Sequence, residues 1–293
     1  MIITILNTVA PVTVCAVIGL VWAKQGYQYE TVFVTRLATY IGFPCLIFKT
    51  LVSINSDFDS LFLMGGLGLL TTGVFALAAI PALKFSKLSI RTFMPSLTFA
   101  NTGNLGLSIC LLAFGKEGLA LAIGYFTVSS ILVFLFGPAV AVGRFSPSAV
   151  LKSPLIWAVM LAALVIALDC SIPLWALNSL DLLGSFAIPL MLITLGVSLA
   201  SLKVDNFRRG MWISILRLGL GFLIGWGTAE IFNLEGIARG VLIIECAMPA
   251  AVFNYVYAEM YATSPNEVAA VVMISTLLSF ITMPGLLWFV VGS

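Results

Sequence analysis

The stretch Ala100–Ser108 reads ANTGNLGLS and lies in the middle of an otherwise apolar run, residues 92–114. Glycine and asparagine are poor helix formers, and a buried amide needs a hydrogen-bond partner. A second interruption, Glu245–Pro249 followed by Asn254, divides a later apolar run. Pro249 removes a backbone donor and clashes with the preceding turn, so it breaks or kinks that helix. The sequence therefore predicts two interrupted helices in an apolar, helical protein.

The composition is typical of a membrane protein. Of 293 residues, 61% are hydrophobic and 9% are charged, against roughly a quarter charged in an average soluble domain. The net charge of +2 and the scattered basic residues give no sign of a nucleic-acid partner. The chain has no histidine, which excludes histidine-metal sites and serine–histidine or cysteine–histidine catalysis, and its five cysteines have no disulfide or metal spacing. We therefore expect neither an enzyme nor a cofactor.

A membrane-spanning helix needs about 20 mainly apolar residues. Charged and loop-forming residues divide this chain into ten such stretches, which we number as predicted spans 1 to 10. They are residues 2–23, 31–54, 60–83, 92–114, 118–142, 150–169, 180–202, 210–232, 237–260 and 267–291. Span 1 lacks the basic leader of a signal peptide, so we expect it to remain in the mature protein.

The basic residues indicate how the spans are oriented, because cytoplasmic loops are enriched in Lys and Arg. Lys116 and Arg239 flank the even-numbered loops, whereas nine basic residues flank the odd-numbered ones. These nine are Lys24, Lys84, Lys87, Arg91, Arg144, Lys152, Lys203, Arg208 and Arg209. The pattern predicts a multi-pass protein of the cell (inner) membrane with both termini outside.

The two halves of the chain repeat each other. Four residues of span 5 recur in span 10 at an offset of 146, and three residues of span 2 recur in span 7 at an offset of 145. The pairs are Ser129 and Ser275, Leu132 and Leu278, Phe134 and Phe280, Pro138 and Pro284, Pro44 and Pro189, Val52 and Val197, and Ser53 and Ser198. With five spans per half, the second half, residues 143–293, enters the membrane from the face opposite to the first half, residues 1–142. Such an inverted repeat is the structural basis of alternating access in transporters.

The substrate site of an inverted-repeat carrier lies near the midplane, where interrupted helices expose backbone groups to a cavity. We therefore expect the substrate to bind between the two interruptions, where amides and helix amino ends would hold an anion. The candidate residues are Asn101, Asn104, Ser108, Pro249, Ala250 and Asn254. The alternative is that small and amide residues only pack the helices together. We interpret Pro44 and Pro189 as structural kinks.

Charged residues inside a membrane span are costly and are therefore functional candidates. Glu245 lies about 12 Å from the outer end of span 9, at 1.5 Å per residue, and is a candidate proton carrier. Arg217 in span 8 lies about as deep from the inner face and is a candidate neighbouring cation. An inert structural Glu–Arg pair is the alternative interpretation. For Arg36 and Lys49, near helix ends, we expect the side chains to extend to the interface.

Several of these segments resemble the auxin efflux carrier family, which includes bacterial carboxylate carriers and plant auxin exporters. The similarity covers the whole chain, and the segments that carry it are Phe43–Phe48, Asn101–Thr102 with Gly106–Leu107, and Ala247–Pro249 with Tyr257–Tyr261. The resemblance implies an all-α membrane protein with ten transmembrane helices in a 5+5 inverted repeat, similar to sodium/bile-acid symporters and NhaA-type antiporters. It implies that spans 4 and 9 are broken and cross each other. It also implies that Asn101 contacts the substrate carboxylate.

The resemblance further implies two domains and an elevator mechanism. Spans 1, 2, 6 and 7 would form a scaffold that dimerises, and spans 3–5 and 8–10 a moving transport domain. This chain departs from the plant pattern, because Ala100 and Ser108 replace prolines and Ala250 and Glu245 replace glutamines. The loop near residues 143–149 is short, so a bacterial-type carrier is the better match.

The leading hypothesis is a secondary transporter that carries a small organic anion, auxin-like or malonate-like, and is linked to the proton motive force. A sodium-coupled symporter of the bile-acid type is the alternative within transport, although the chain has one clear mid-membrane acid rather than a cluster of cation ligands. A passive channel and an intramembrane enzyme are lower-ranked alternatives. The expected partners are the substrate, a coupling proton or sodium ion, the lipid bilayer and a second copy of the chain.

Overall fold

The computed structural model describes residues 2–54, 58–142, 154–202 and 205–292, and in these ranges the regular secondary structure is helical apart from one isolated β-bridge. The helices are α1 (Ile2–Lys24), α2 (Thr31–Leu37), the π-helical turn π1 (Ala38–Gly42), α3 (Phe43–Ile54), α4 (Phe58–Phe85), α5 (Ile90–Thr98), the π-helical turn π2 (Thr102–Gly106), α6 (Leu107–Val142), α7 (Pro154–Ala167), α8 (Leu174–Ser185), α9 (Ala187–Ser201), α10 (Phe207–Ile231), α11 (Gly236–Ala247), α12 (Val252–Met260) and α13 (Pro265–Gly292). The prediction of an all-helical protein is confirmed. The predicted boundary between repeats at residue 143, and the loop residues Arg144, Lys152 and Lys203, lie outside the described residues.

Within the described ranges, seven helical segments are long and apolar enough to cross a membrane. The sequence predicts ten spans, and the difference has local causes. Predicted span 6 begins at residue 150, outside the described residues, and its described part is α7, whose 14 residues are fewer than a full crossing needs. Predicted span 9 is divided into α11 and α12, of 12 and 9 residues. Predicted spans 4 and 5 join in one long helical segment, 102–133. The chain is thus a multi-pass membrane protein.

A glycine separates predicted spans 4 and 5 inside α6. Gly115 has φ 66° and ψ −153°, a conformation that side chains with a Cβ rarely adopt. The helix therefore ends and restarts at this residue, between the expected ends at 114 and 118. The chain changes direction here although the residues on both sides of Gly115 are helical.

Both prolines interpreted as kinks lie close to interruptions of regular α-helix. Pro44 is the second residue of α3 and lies two residues after the end of π1, whose wider helical turn accommodates a ring that cannot donate to the backbone ladder. Pro189 is the third residue of α9, where an N–H has no intrahelical partner, and it follows the break between α8 and α9 at Phe186. Each proline therefore lies where the chain already departs from a straight helix.

The helices pack into two groups. The first bundle comprises α1–α3 with π1 and α7–α9, and the second bundle comprises α4–α6 with π2 and α10–α13. Within the first bundle, α1 lies along α9 with glycines on both sides of the contact. A Cβ at Gly19 would lie 2.8 Å from the carbonyl carbon of Ile193, and a Cβ at Gly196 would lie 2.8 Å from that of Ala16. The two backbones therefore touch directly, as small residues permit in membrane helices.

This contact leads to a first prediction. We expect Gly196→Ala to lower the free energy of unfolding of the purified protein by about 1–3 kcal/mol, and its melting temperature with it. The added methyl group meets backbone atoms of α1 that cannot rotate away. Gly66→Ala is the matched control, since a Cβ at Gly66 of α4 meets no atom within 4 Å. Unfolding followed by intrinsic fluorescence measures both variants. Equal melting temperatures for the two variants would contradict the close α1–α9 contact.

Candidate functional site

The two interrupted helices meet at their interruptions. The segment between α5 and π2 and the segment between α11 and α12 pair through an antiparallel β-bridge joining Ala100 and Ala250. The Asn101 N–H donates to the Pro249 carbonyl at 2.8 Å, and the Ala251 N–H donates to the Phe99 carbonyl at 3.1 Å. Backbone groups that each helix loses by stopping are thus satisfied by the other segment, as the apolar environment requires.

Local sequence explains why the helices stop where they do. Pro249 disfavours helical geometry at the residue before it, and Met248 is extended at φ −62° and ψ 147°. In the other segment Asn101 leaves helical geometry at φ −80° and ψ 57°, and its Oδ1 accepts a hydrogen bond from the Asn104 N–H at 3.4 Å. Asn101 therefore acts as the N-cap of the helix that restarts at Thr102.

Three of the predicted site residues hold the two interrupted segments in place through hydrogen bonds and do not line the cavity beside them. The Asn254 Nδ2 donates to the Phe99 carbonyl at 3.0 Å, and the Ala250 N–H donates to the Ser275 Oγ at 3.1 Å. Pro249 supplies the carbonyl that receives the Asn101 N–H. These groups hold the two segments together, and none of the three residues belongs to the walls of the cavity next to the segments.

A cavity of about 140 Å³ lies between the two bundles, against both interruptions. Asn101 and Asn104 line it, together with the first residues of the restarting helices, Thr102 and Val252. The opposite wall comes from the first bundle, and Phe43, Phe126 and further apolar side chains also line the cavity. Among the described residues that line it, none carries a charged side chain. The cavity has the mostly apolar walls and few convergent polar groups of a small-molecule site.

Two helix amino ends meet at this cavity. The first N–H groups of a helix have no intrahelical acceptor, and the helix dipole places a partial positive charge there. The helices that begin at Thr102 and Val252 both present this end to the cavity. The side-chain Nδ2 of Asn101 is buried without a hydrogen-bond partner. These features together favour an anion as the occupant.

Hydroxyl groups on the first bundle are functional candidates that the sequence analysis missed. Thr31, Thr35 and Thr39 line the cavity at a spacing of four residues, which places them on one face of the helix. Thr194 and Ser198 of α9 line the same wall. The four-residue spacing in an apolar span was the available signal.

Arg217 contacts the carboxyl ends of both interrupted helices. Its side chain is fully buried, with Nη1 donating to the Leu97 carbonyl and Nη2 to the Cys246 carbonyl, each at 3.0 Å. The guanidinium carbon also lies 4.3 Å from the ring centroid of Phe75. These carbonyls lie at the ends of α5 and α11, where the helix dipole is negative. Arg217 therefore stabilises the side of the interruptions that carries partial negative charge.

Glu245 is also fully buried, but it does not form an ion pair with Arg217. Its Oε1 accepts from the Cys110 Sγ at 3.8 Å, and its Oε2 has no hydrogen-bond partner. The carboxyl group packs directly against Gly106, where a Cβ would lie 2.7 Å from the Glu245 Cδ. The structural Glu–Arg pair that the sequence allowed is therefore absent from the described residues. The acid instead lies behind the helix that begins at Thr102.

A second cavity of about 390 Å³ lies on the other side of this helix. Ser108, whose Oγ donates to the Asn104 carbonyl at 2.6 Å, lines this second cavity rather than the first. Lys49 and Lys116 also line it, and Lys49 forms an ion pair with Asp181. The partner of Lys49, Asp181 of α8, has an exposed side chain.

Comparison with known proteins finds membrane transporters. A family model described as membrane transport protein matches residues 138–287, slightly more than half of the chain. An uncharacterized transporter of Methanocaldococcus jannaschii is 31% identical over 195 residues, which cover 62% of this chain and 63% of that protein. An uncharacterized transporter of Methanothermobacter thermautotrophicus is 26% identical over an alignment that covers 97% of each chain. The chain therefore belongs to this family of membrane transporters, the auxin efflux carrier family.

Proposed function

We propose that the protein is a secondary active transporter that moves a small organic carboxylate across the membrane by alternating access. The observation that carries the proposal is the cavity between the bundles, which is lined by Asn101, whose buried Nδ2 has no hydrogen-bond partner, and by two helix amino ends. Membership of a membrane transporter family confirms the expectation of a transporter rather than an enzyme. The substrate class and the mechanism are our inference from the site.

The proposed architecture is a ten-span 5+5 inverted repeat, with residues 1–142 and 143–293 as the two halves. Spans 4 and 9 would be broken helices that cross where Ala100 pairs with Ala250, and that bridge supports the proposal. With both termini outside the cell membrane, the cavity at Asn101 would lie on the cytoplasmic side, since Thr31 follows an inner loop. The second cavity, lined by Lys116, would face outward.

The proposed domains follow the two bundles. The first bundle contains spans 1, 2, 6 and 7 and would be the scaffold, with a homodimer formed through its outer helices. The second bundle contains spans 3–5 and 8–10 and would be the transport domain. Most helix contacts lie within one bundle or the other, although α1 and α3 also contact α6. Together with the cavity between the bundles, this supports a movement of one past the other. Such an elevator movement would carry Asn101 and its bound anion from one side to the other.

The test of the binding site is Asn101→Ala. A hydrogen bond to a charged group contributes about 1.5–3 kcal/mol, so we expect the carboxylate Kd to rise by about 10- to 100-fold. A thermal-shift titration of the purified protein with a panel of small carboxylates measures this change, because a ligand that binds the folded state raises the melting temperature.

Asn101→Asp distinguishes the loss of carboxylate binding from the loss of the helix N-cap at residue 101. The carboxylate keeps an acceptor for the Asn104 N–H but repels an anion, so we expect a folded protein that binds no carboxylate. Asn178→Ala, at an exposed position of α8, is the control and should bind like the wild type. The proposed site would be refuted by Asn101 variants that bind carboxylates with unchanged affinity.

A further inference from the structure

We infer that the cavity at Asn101 is matched to a single negative charge, so that its substrates are small monocarboxylates and dicarboxylate dianions are rejected. The inference rests on the proposed function and deepens it by naming the substrate class. It follows from the charges around the two interruptions, the size of the cavity and the groups that line its walls.

The partial positive charges of the helix amino ends at the cavity sum to about one elementary charge. Each helix amino end corresponds to roughly half an elementary charge, and two of them, at Thr102 and Val252, meet at the cavity. The described residues lining the cavity include no Lys or Arg that would add a further positive charge. The Asn101 amide is neutral. One carboxylate therefore balances the site, and a second would have no counter-charge.

The opposite ends of the interrupted helices are already balanced. Two helix carboxyl ends, at roughly half a negative charge each, contact the single positive charge of Arg217 through the Leu97 and Cys246 carbonyls. Because Arg217 is fully buried at these carbonyls and does not line the cavity, its guanidinium is not available to a second carboxylate there. Arg217 and the monoanion would thus be matched counterparts on the two sides of the same pair of interruptions.

Glu245 does not alter this balance when it is protonated. Its carboxyl group faces Cys110 and Gly106, and the neighbouring titratable groups Cys246 and Tyr125 are fully or almost fully buried. No cation among the described residues pairs with it. Burying an unpaired carboxylate is costly, so these surroundings accommodate the neutral acid.

The walls away from the interruptions carry hydroxyl groups, Thr31, Thr35 and Thr39 among them, but no described lining residue supplies a positive charge for a second carboxylate. Phe43, Phe126 and Met191 are apolar, and the Thr194 hydroxyl already donates to the Leu190 carbonyl at 2.7 Å and pairs with the Tyr29 hydroxyl at 2.7 Å. The volume of about 140 Å³ is close to that of an apolar cavity of roughly 150 Å³ that holds benzene. The site therefore suits a carboxylate with a compact apolar body.

The experiment compares acids of equal carbon number on the purified wild-type protein by thermal-shift titration at about pH 7, where both carboxyl groups of a dicarboxylic acid are ionised. Butyrate is compared with succinate, and propionate with malonate. Monomethyl succinate, a monoanion larger than succinate, separates charge from size. We expect each monoanion, monomethyl succinate included, to bind at least about tenfold more tightly than the dianion of its series.

A charged substitution in the cavity wall tests whether the missing counter-charge causes the preference for monoanions. Thr35→Lys introduces a cation into the cavity wall and should raise the affinity for succinate relative to butyrate, whereas Thr35→Gln, which adds a neutral side chain, should keep butyrate the tighter ligand. Dianions that bind the wild type as tightly as monoanions would overturn the inference and leave the carboxylate transporter standing. If no carboxylate binds at all, the proposed function itself fails, and the inference fails with it.

Discussion

Replacing Arg217 by methionine is expected to lower the stability of the folded protein by several kcal/mol. Methionine fills much of the space but leaves the Leu97 and Cys246 carbonyls, both now bonded at 3.0 Å, without donors in the membrane interior. An unsatisfied buried group costs about 1–3 kcal/mol, so we expect a loss of about 2–6 kcal/mol. Thermal unfolding of the purified protein measures the change.

Arg217→Lys distinguishes the effect of the two carbonyl contacts from the effect of the charge, and Arg208→Met is the control. Arg217→Lys keeps the charge but lacks the planar fork that reaches two carbonyls at once, so its stability should lie between those of the wild type and Arg217→Met. Arg208→Met alters an exposed arginine near the start of the same helix, α10, and should unfold like the wild type. An Arg217→Met protein as stable as the Arg208→Met control would show that the two carbonyls do not depend on Arg217.

The interruptions could be predicted from the sequence because local chemistry decides them. Pro249 disfavours helical geometry at Met248, and Asn101 is a favourable N-cap, whatever surrounds them. Their pairing could not be predicted in the same way. The bridge joins Ala100 to Ala250, two residues with no side-chain hydrogen-bonding groups, and depends on how distant segments pack.

Side-chain direction explains the other differences. Glu245 and Arg217 lie at comparable depths in the sequence-based spans, which made a pair conceivable. Depth does not specify which face of a helix a residue occupies, and the structure directs Arg217 to two carbonyls and Glu245 to Gly106. The cavity hydroxyls were missed for a related reason. A threonine in an apolar helix commonly bonds its own backbone, so a residue such as Thr35 has the same signature whether it lines a cavity or packs against lipid.

Replacing Glu245 by glutamine is expected to abolish the coupling of transport to a pH gradient while leaving substrate exchange intact. The acid lies against Gly106, in the helix whose amino end forms part of the site, so a change in its protonation acts on that helix directly. Glutamine has nearly the same shape as the protonated acid and cannot release a proton. We therefore expect the variant to fold and to bind the substrate.

Proteoliposomes with an imposed pH gradient measure the coupling. If one proton accompanies each monoanion, the wild type should concentrate the substrate about tenfold per pH unit of gradient, whereas Glu245→Gln should equilibrate it and still exchange labelled for unlabelled substrate. Glu259→Gln, at an exposed position of α12, should behave like the wild type. Accumulation by Glu245→Gln in response to the pH gradient would remove Glu245 from the coupling mechanism. Accumulation by the wild type that requires a sodium gradient, and is lost in Glu245→Gln, would instead make the unpartnered Oε2 a sodium ligand.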